Sequence, residues 1–222
     1  MERILEPELM LEEPQALAYA GADFSDANAH FARLFTEKFP AITSGTVVDL
    51  GCGPADILIR LAHALPGVSL VGIDGSEAML GPGRRAVAEA GLESRIHLQL
   101  GQFPNVALPV HGCAAITSNS VLHHLPDGAL LWGEALRLGA SGAGVLVMDL
   151  LRPSSPVEAR EIVQRVSPHD PPVLREDFFN SLCAAFTLEE VRAQLHAAGL
   201  PHFQCEQVSE RHLAAWGQLP HG

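Results

Sequence analysis

The sequence predicts an α/β fold in which a doubly wound, mostly parallel sheet of about seven strands follows an N-terminal helical cap. Two observations lead to this prediction. Between residues 46 and 150, short β-branched and apolar runs alternate with segments of helical periodicity, as in a parallel sheet that helices cover on both faces. The first 45 residues are acidic and show helical spacing. A chain of 222 residues fits one compact unit, with a cap at 1–45 and a core domain at 46–222.

The individual elements follow from local patterns. Apolar residues at 24, 31, 34, 35 and 39 have the spacing of one helix face in the cap. Strands are predicted at 46–50, 68–73, 96–100, 114–117, 144–150, 202–208 and 211–216. Helices are predicted after Pro54, at 76–91, at 127–138, from Ser155 and at 187–199. The last two strands should form a hairpin, and residues 152–186 are expected to be less regular apart from the short helix at Ser155.

Composition narrows the class of protein. A formal net charge of −12 speaks against a nucleic acid partner, because phosphate backbones attract clustered Lys and Arg. The acidic, proline-broken start lacks the features of a secretory signal, and no apolar run is long enough to span a bilayer. The four scattered cysteines form no Cys-x-x-Cys pair. We therefore expect a cytoplasmic protein with reduced thiols and no membrane partner.

A glycine turn follows the first predicted strand. In Val47-Val48-Asp49-Leu50-Gly51-Cys52-Gly53-Pro54-Ala55, two glycines allow the backbone to approach a ligand closely, since glycine has no Cβ. Asp74 lies 23 positions after Gly51, at the end of the second strand. A carboxylate there can accept hydrogen bonds from a ribose diol. Because the turn also opens a helix, its context indicates a crevice that binds adenosine.

These segments resemble the class I S-adenosylmethionine-dependent methyltransferases, which have a Rossmann-like fold. Residues 47–55 resemble their first motif, and 71–80, Val-Gly-Ile-Asp-Gly-Ser-Glu-Ala-Met-Leu, resemble their second. The segment 117–127, Thr-Ser-Asn-Ser-Val-Leu-His-His-Leu-Pro-Asp, is similar to the segment after strand four in the ubiquinone and menaquinone C-methyltransferases. The resemblance covers about residues 40–150. It implies S-adenosylmethionine as cofactor and S-adenosylhomocysteine as product.

The resemblance also implies which residues bind the cofactor. Gly51 and Gly53 pass beneath its methionine part, Asp49 supports its amino group, and Asn119 lies near the transferred methyl group. Asp74 holds the ribose hydroxyls, and Met79 packs against the adenine. The full set is Asp49, Gly51, Cys52, Gly53, Asp74, Gly75, Met79, Gln102, Phe103 and Asn119.

Two positions depart from the family pattern. Ala55 stands where many members have a third glycine, a change that costs little room. Gln102 stands near the place where many relatives have an Asp that accepts from the adenine amino group. An amide oxygen at Gln102 can also accept, and Phe103 can stack on the adenine.

The candidate catalytic residues follow strands four and five or lie in the cap. His123 and His124 are candidate proton acceptors, since imidazole titrates near neutrality; the alternative for His124 is a solvent or core position. Asp149 is a further candidate base. Arg152 can hold an acceptor carboxylate or phosphate, or pair with the acidic cap, and the same alternatives apply to Arg211 and His212. Tyr19 can close over the methyl group or only pack.

A metal site is not expected from the sequence. Adjacent histidines on a helix point about 100 degrees apart, which makes His123 and His124 poor joint ligands, and no His-Glu-x-x-His motif accompanies them.

The predicted function is methyl transfer to a small-molecule acceptor by in-line displacement. A catalytically inactive cofactor-binding module is the first alternative, because fold does not guarantee turnover. A nicotinamide-dependent oxidoreductase is the second, although Pro54 departs from the dinucleotide-binding pattern, and the chain lacks Tyr-x-x-x-Lys. Motifs of the base-methylating enzymes, Pro-Pro-Tyr/Phe after strand four and Pro-Cys, are also absent from the sequence.

Overall fold

A seven-stranded sheet organises the chain. The structure is a computed structural model that describes residues 1–6, 24–102, 104 and 106–221. The strand order is β3-β2-β1-β4-β5-β7-β6, with β7 antiparallel to both β5 and β6 and the other pairings parallel. The strands are β1 (Gly45–Leu50), β2 (Val68–Asp74), β3 (Ile96–Leu100), β4 (Cys113–Asn119), β5 (Gly139–Leu150), β6 (Gln204–Gln207) and β7 (His212–Gln218). The predicted sheet and its terminal hairpin are confirmed.

Seven α-helices flank the sheet in the described part of the chain. They are α1 (Ser25–Lys38), α2 (Asp56–Ala64), α3 (Glu77–Glu89), α4 (Ala129–Leu138), α5 (Pro156–Val166), α6 (Pro172–Ala184) and α7 (Leu188–Ala197). A single 3-10 turn, Leu122–His124, follows β4. The helix predicted at 187–199 begins with a capping box, since Thr187 accepts from the Glu190 amide and the Glu190 side chain accepts from the Thr187 amide. None of the described helices is long and apolar enough to cross a membrane.

Both faces of the central strands are buried, which is why these strands are apolar throughout. Val47 packs with the side chains of α1, α2 and α3 on one face, whereas its neighbour Val48 packs with those of α4 and α7 on the other. Successive strand residues point to opposite faces, so one short run serves two hydrophobic clusters. On the second face, the fully buried Trp132 of α4 donates its indole N–H to Gln194 of α7.

The N-terminal region contributes to two sides of the core. Helix α1 buries Phe31 and Phe35 completely, and its Asn28 donates to Asp56 at the start of α2. Residues 1–6 lie elsewhere, against α6 and the turn after β4, where the Ile4 amide donates to the Cys183 carbonyl. Residues 7–23, which include Tyr19 and much of the predicted cap, lie outside the described residues.

The expectation of an irregular segment at 152–186 is wrong for most of its length. Helices α5 and α6 occupy it, and with Leu150 they form a third hydrophobic cluster. The predicted short helix at Ser155 is present as α5, and the Ser155 hydroxyl accepts from the Glu158 amide at its start. The second helix was obscured by Pro171-Pro172, which reads as a breaker. Proline fits the first turn of a helix because its missing N–H has no helical partner there.

A prediction on stability concerns Arg95, which joins α2 to the strands beside it. Its guanidinium donates to the carbonyls of Ala62, Leu65 and Val68 at 2.7, 2.6 and 2.9 Å. Arg95→Met should lower the free energy of unfolding by about 1–3 kcal/mol, because these carbonyls lose a charged donor. Urea denaturation measures this, and Arg85→Met, at an exposed position on α3, should change it by less than about 0.5 kcal/mol. Equal effects of the two substitutions would contradict the assignment.

Candidate active site

A cavity of about 600 Å³ opens at the carboxyl ends of β1, β2, β4 and β5. The antiparallel β7 reaches the same edge with its first residue, His212. The cavity therefore lies where the strand order reverses between β1 and β4, the usual position of ligands in open α/β sheets. Helix α1 contributes Asn28 to one wall, and α6 contributes Phe178 to another.

The glycine turn forms the floor of the cavity and requires glycine at its first position. Gly51 has φ +76°, and a Cβ built on it would lie 2.2 Å from Val121 Cγ2. Gly53 also has a positive φ, +50°. Ala55 adopts φ +67° and is completely buried. The cost of alanine in place of the family's third glycine is therefore conformational, of the order of 1–2 kcal/mol. It does not come from lack of space.

Asp74 ties the ends of β1 and β2 together. One of its carboxylate oxygens accepts from the Gly53 amide at 2.8 Å, and the other accepts from the Ser76 amide at 2.9 Å. Burial raises the pKa of Asp74, although these backbone hydrogen bonds act in the opposite direction. The amides of Ser76, Gly53 and Gly75 all donate to this carboxylate, which has about four lone-pair positions and lines the cavity. Asp74 is thus positioned to accept from a diol.

The next part of the site contains Asp49 and Asn119. Asp49 is buried and accepts from Thr117 Oγ1 at 2.7 Å, and burial raises its pKa to about 6. Asn119 Oδ1 is buried and has no hydrogen-bond partner among the described residues. Both residues line the cavity. An unpaired buried acceptor is costly, and an ammonium group of a ligand would satisfy it.

The remaining predicted cofactor residues surround the same space. Cys52, Gly75, Met79 and Gln102 all line the cavity. A Cβ on Gly75 would approach Gln102 Cγ to 3.2 Å, and one on Gly53 would approach Met79 Cε to 3.3 Å. Burial raises the pKa of the Cys52 thiol well above its ordinary value, so it is a packing group there. Phe103 lies outside the described residues.

The polar groups of this half of the cavity fit S-adenosylmethionine. Close backbone approach at Gly51, the carboxylate of Asp74 at the cavity wall and the unpaired Asn119 oxygen match a methionine chain joined to a ribose.

Asp149 organises the opposite half. Asp149 is the residue before the last one of β5, and it is buried. Its Oδ2 accepts from the Leu122 amide at 2.6 Å, and its Oδ1 is 2.6 Å from His123 Nδ1. The backbone amide of Leu150 also donates to Oδ1, at 2.7 Å. Asp149 thereby fixes the 3-10 turn after β4 on the end of β5.

The charges of Asp149 and His123 stabilise each other. Burial would raise the pKa of Asp149, but the charge and hydrogen bond of His123 lower it below its ordinary value. Burial would likewise lower the pKa of His123, but Asp149 raises it. Because the Asp149 carboxylate accepts, His123 Nδ1 donates the proton that they share, and Nε2 faces Glu6.

His124 has the opposite electrostatic environment. Burial and the neighbouring His123 lower its pKa to about 3. Its Nδ1 is buried without a hydrogen-bond partner among the described residues, although Glu6 Oε2 lies 3.3 Å away. Burial raises the pKa of Glu6. His124 is therefore the neutral member of the pair.

The expected divergence of the two histidines is wrong. They occupy a 3-10 turn and not an α-helix, and their ring centroids are 4.1 Å apart with a tilt of 37°. One ligand atom from each of His123, His124 and Glu6 lies within 4.8 Å of the other two. A 3-10 turn separates successive side chains by about 120°, so the rings come together through their side-chain torsion angles, with His123 held by Asp149.

The structure does not bring Arg152 to the cavity. Its guanidinium donates to Glu190 Oε1 at 2.6 Å and to the Ala185 carbonyl. Residue 151 forms a bridge with Phe186 just beyond β5, which directs the next side chain toward α7. Arg152 therefore forms an ion pair, as one alternative predicted, but its partner is Glu190 of α7 and not an acid of the N-terminal cap. Tyr19, also predicted as catalytic, lies outside the described residues.

Other residues complete the acceptor half of the cavity. Leu125, Leu150, Val166, Leu174 and Phe178 form an apolar wall. Arg211 is the only Arg or Lys among the described residues that line the cavity, and His212 lies beside it. Sequence reasoning left both open and missed Glu6, because nothing in an acidic N-terminal segment indicates contact with residues 123 and 124.

A pH dependence of stability follows from His212. Its pKa falls to about 4, through burial and repulsion from Arg211. The unfolded state then binds a proton that the folded state does not, so stability contributed by neutral His212 is lost as pH falls from about 6.5 to about 4. The slope for one proton is about 1.4 kcal/mol per pH unit.

We predict that His212→Asn flattens the decline of unfolding free energy over this window relative to the natural chain. Chemical denaturation at several pH values measures the difference. The control is His196→Asn, at an exposed position on α7. Parallel curves for the natural chain and His212→Asn would contradict the prediction.

Comparison with known proteins supports the fold and the cofactor. The sequence model of a family described as "Methyltransferase domain" matches residues 47–142. A putative S-adenosyl-L-methionine-dependent methyltransferase from Methanococcus maripaludis superposes with a TM-score of 0.74 at 17% identity, over 99% of this chain and 98% of that one. That likeness shows the fold.

Two curated relatives are similar in sequence. Trans-aconitate 2-methyltransferase of Azoarcus sp. is 34% identical over 58% of this chain and 48% of its own length. Demethylmenaquinone methyltransferase of Symbiobacterium thermophilum is 27% identical over 49% of this chain and 44% of its own. The chain thus spans about half the length of these relatives. Residues 47–142 thus match a methyltransferase domain, and the chain as a whole has the fold of S-adenosylmethionine-dependent methyltransferases.

Proposed function

We propose that this chain transfers a methyl group from S-adenosylmethionine to a small-molecule acceptor. The observation that carries the proposal is the continuity of one cavity. It joins the half-site of Asp74 and the glycine turn to the half-site of His123, His124 and the apolar wall. A cofactor in the first half and an acceptor in the second would meet without leaving the protein.

The first half would hold the cofactor by complementary polarity. Asp74 would accept from the ribose hydroxyls, while Asn119 Oδ1 would accept from the amino group, with Asp49 behind it. The glycine turn allows the methionine part of the cofactor to lie close to the backbone, because Gly51 has no Cβ. A Cβ built at this position would collide with Val121. These contacts would direct the sulfonium end toward Asn119, at the boundary with the acceptor half.

The bound cofactor supplies an electrophilic methyl group, so the protein's main task is to orient the acceptor and exclude water. Orientation of this kind is worth about 7–11 kcal/mol. The apolar wall from Leu125 to Phe178 excludes water on one side, and α1 covers another. We assign acceptor activation to His123 and His124, with Asp149 as the residue that positions them.

The acceptor half favours a small molecule with apolar and polar parts. Leu174 and Phe178 offer an apolar surface, and Arg211 offers a cation to an acidic or oxygen-rich group. The relatives described above bear the names of small acceptors, trans-aconitate and demethylmenaquinone. A net charge of −12 opposes nucleic acid as acceptor. We further propose that the protein works in the cytoplasm, where its four free cysteines would stay reduced.

The cofactor half-site predicts the effect of Asp74→Asn. Asparagine keeps one acceptor for the turn but loses the charge that strengthens the ribose hydrogen bonds. Affinity for S-adenosylhomocysteine should fall by about 1.5–3 kcal/mol, roughly tenfold to a hundredfold. Isothermal calorimetry measures the affinity, with Asp26→Asn at an exposed position of α1 as control. Equal affinities of Asp74→Asn and the natural chain would remove Asp74 from the site.

Transfer itself is tested with a cofactor that carries an isotope-labelled methyl group. The full chain is incubated with metabolite extract, RNA or DNA, and mass spectrometry locates the label. We expect label in a small molecule and release of S-adenosylhomocysteine. Robust labelling of either polymer would overturn the proposed acceptor class. Cofactor binding without turnover in any mixture would favour the inactive binding module.

A further inference from the structure

We propose that Glu6, His123 and His124 bind one divalent transition-metal ion of the zinc class at the acceptor end of the cavity. The three residues come from two distant parts of the chain, the N-terminal segment and the turn after β4. All three lie at least four-fifths buried by side chain, with exposures of 8%, 4% and 17%. Two imidazoles and a carboxylate form the donor set of many catalytic zinc sites.

The distances suit a common ion. Glu6 Oε2 lies 3.3 Å from His124 Nδ1 and 3.8 Å from His123 Nε2, and the three donor atoms all lie within 4.8 Å of one another. Tetrahedral coordination with metal–ligand bonds of about 2.0–2.2 Å separates neighbouring donors by about 3.3–3.6 Å. Side-chain adjustments of a few tenths of an ångström to about one ångström would bring every pair to that spacing.

Each donor can offer a lone pair to a shared ion. His123 donates its Nδ1 hydrogen bond to Asp149, so Nε2 is the ring nitrogen left for a metal, which would displace any proton bound there. His124 Nδ1 has no hydrogen-bond partner among the described residues. Glu6 accepts one hydrogen bond, from Ser181 Oγ at 3.0 Å. Three acceptors that converge in a buried place repel one another unless a cation or a proton lies between them.

Asp149 supplies the outer partner that metal-binding histidines usually have. A carboxylate on the second ring nitrogen fixes the tautomer and the ring orientation and strengthens the donor. The 2.6 Å contact between His123 Nδ1 and Asp149 Oδ1 is of this kind. The nearby cation, Arg3, is engaged with the carbonyls of His123, Leu125 and Ala184. It therefore holds Glu6's segment against the turn without occupying the donors.

A bound ion would explain why two adjacent histidines face the acceptor half. Three protein ligands leave one position open, and both histidine rings line the cavity. An acceptor hydroxyl bound there would release its proton to solvent more readily, because a divalent cation stabilises the resulting oxyanion. This role rests on the proposed methyl transfer, whereas binding of the ion does not.

The test is metal binding by the full chain after treatment with a chelator, in the absence of any cofactor. Cobalt(II) titration reports coordination through its visible absorption bands, and competition with a chromogenic chelator gives the zinc affinity. We expect one ion per chain and intense cobalt bands typical of four-coordinate sites. Glu6→Gln and His124→Phe should each weaken binding by at least about tenfold.

The matched controls are Glu2→Gln and His63→Phe, which change the same residue types at exposed positions and should leave affinity unchanged. Equal affinity in Glu6→Gln and the natural chain, or no saturable binding, would overturn the proposal. If His124→Phe fails to fold, Glu6→Gln decides, since glutamine keeps the size and shape of the glutamate side chain. Because the readout requires no methyl transfer, failure of the proposed function leaves this result interpretable.

Discussion

The buried carboxylate of Asp149 is the group on which the geometry of the acceptor half depends. It accepts from the backbone of the turn after β4 and from the His123 ring at the same time. A buried charge without partners would destabilise the fold, so these hydrogen bonds serve stability and site geometry together. The same contacts select the His123 tautomer. The turn that Asp149 holds also binds the N-terminal segment, because Arg3 donates to the His123 carbonyl and Glu6 lies next to the His123 ring.

Asp74 performs the corresponding task in the cofactor half. Its two oxygens hold the amides of Gly53 and Ser76, which follow two different strands. The parallel sheet is what allows both carboxylates to act on one ligand cavity, because the carboxyl ends of β1, β2, β4 and β5 reach the same edge. In each half of the site, a carboxylate at the end of one strand thus holds the backbone of the turn that follows the neighbouring strand.

The predicted sheet is confirmed, and the described residues proposed for the cofactor line one cavity, because the signals for both are local. Glycine at 51 and an acid at 74 are dictated by backbone conformation and by a short hydrogen-bonded turn. The acceptor half depends on contacts between distant segments, such as Glu6 with His123, which no periodicity encodes. Helix α6 is not predicted because its opening prolines resemble a loop. Arg152 is a candidate site residue because it follows β5, but the bridge at Leu151 directs its side chain toward Glu190 of α7.

The central claim is that one cavity holds both reactants, with the sulfur of the cofactor at the junction between its two halves. A crystal structure of the full chain with S-adenosylhomocysteine tests this most directly. The account predicts the ribose at Asp74, the amino group at Asn119 Oδ1 and the sulfur facing His123 and His124. Cofactor bound outside this cavity, or with its sulfur directed away from both histidines, would contradict it.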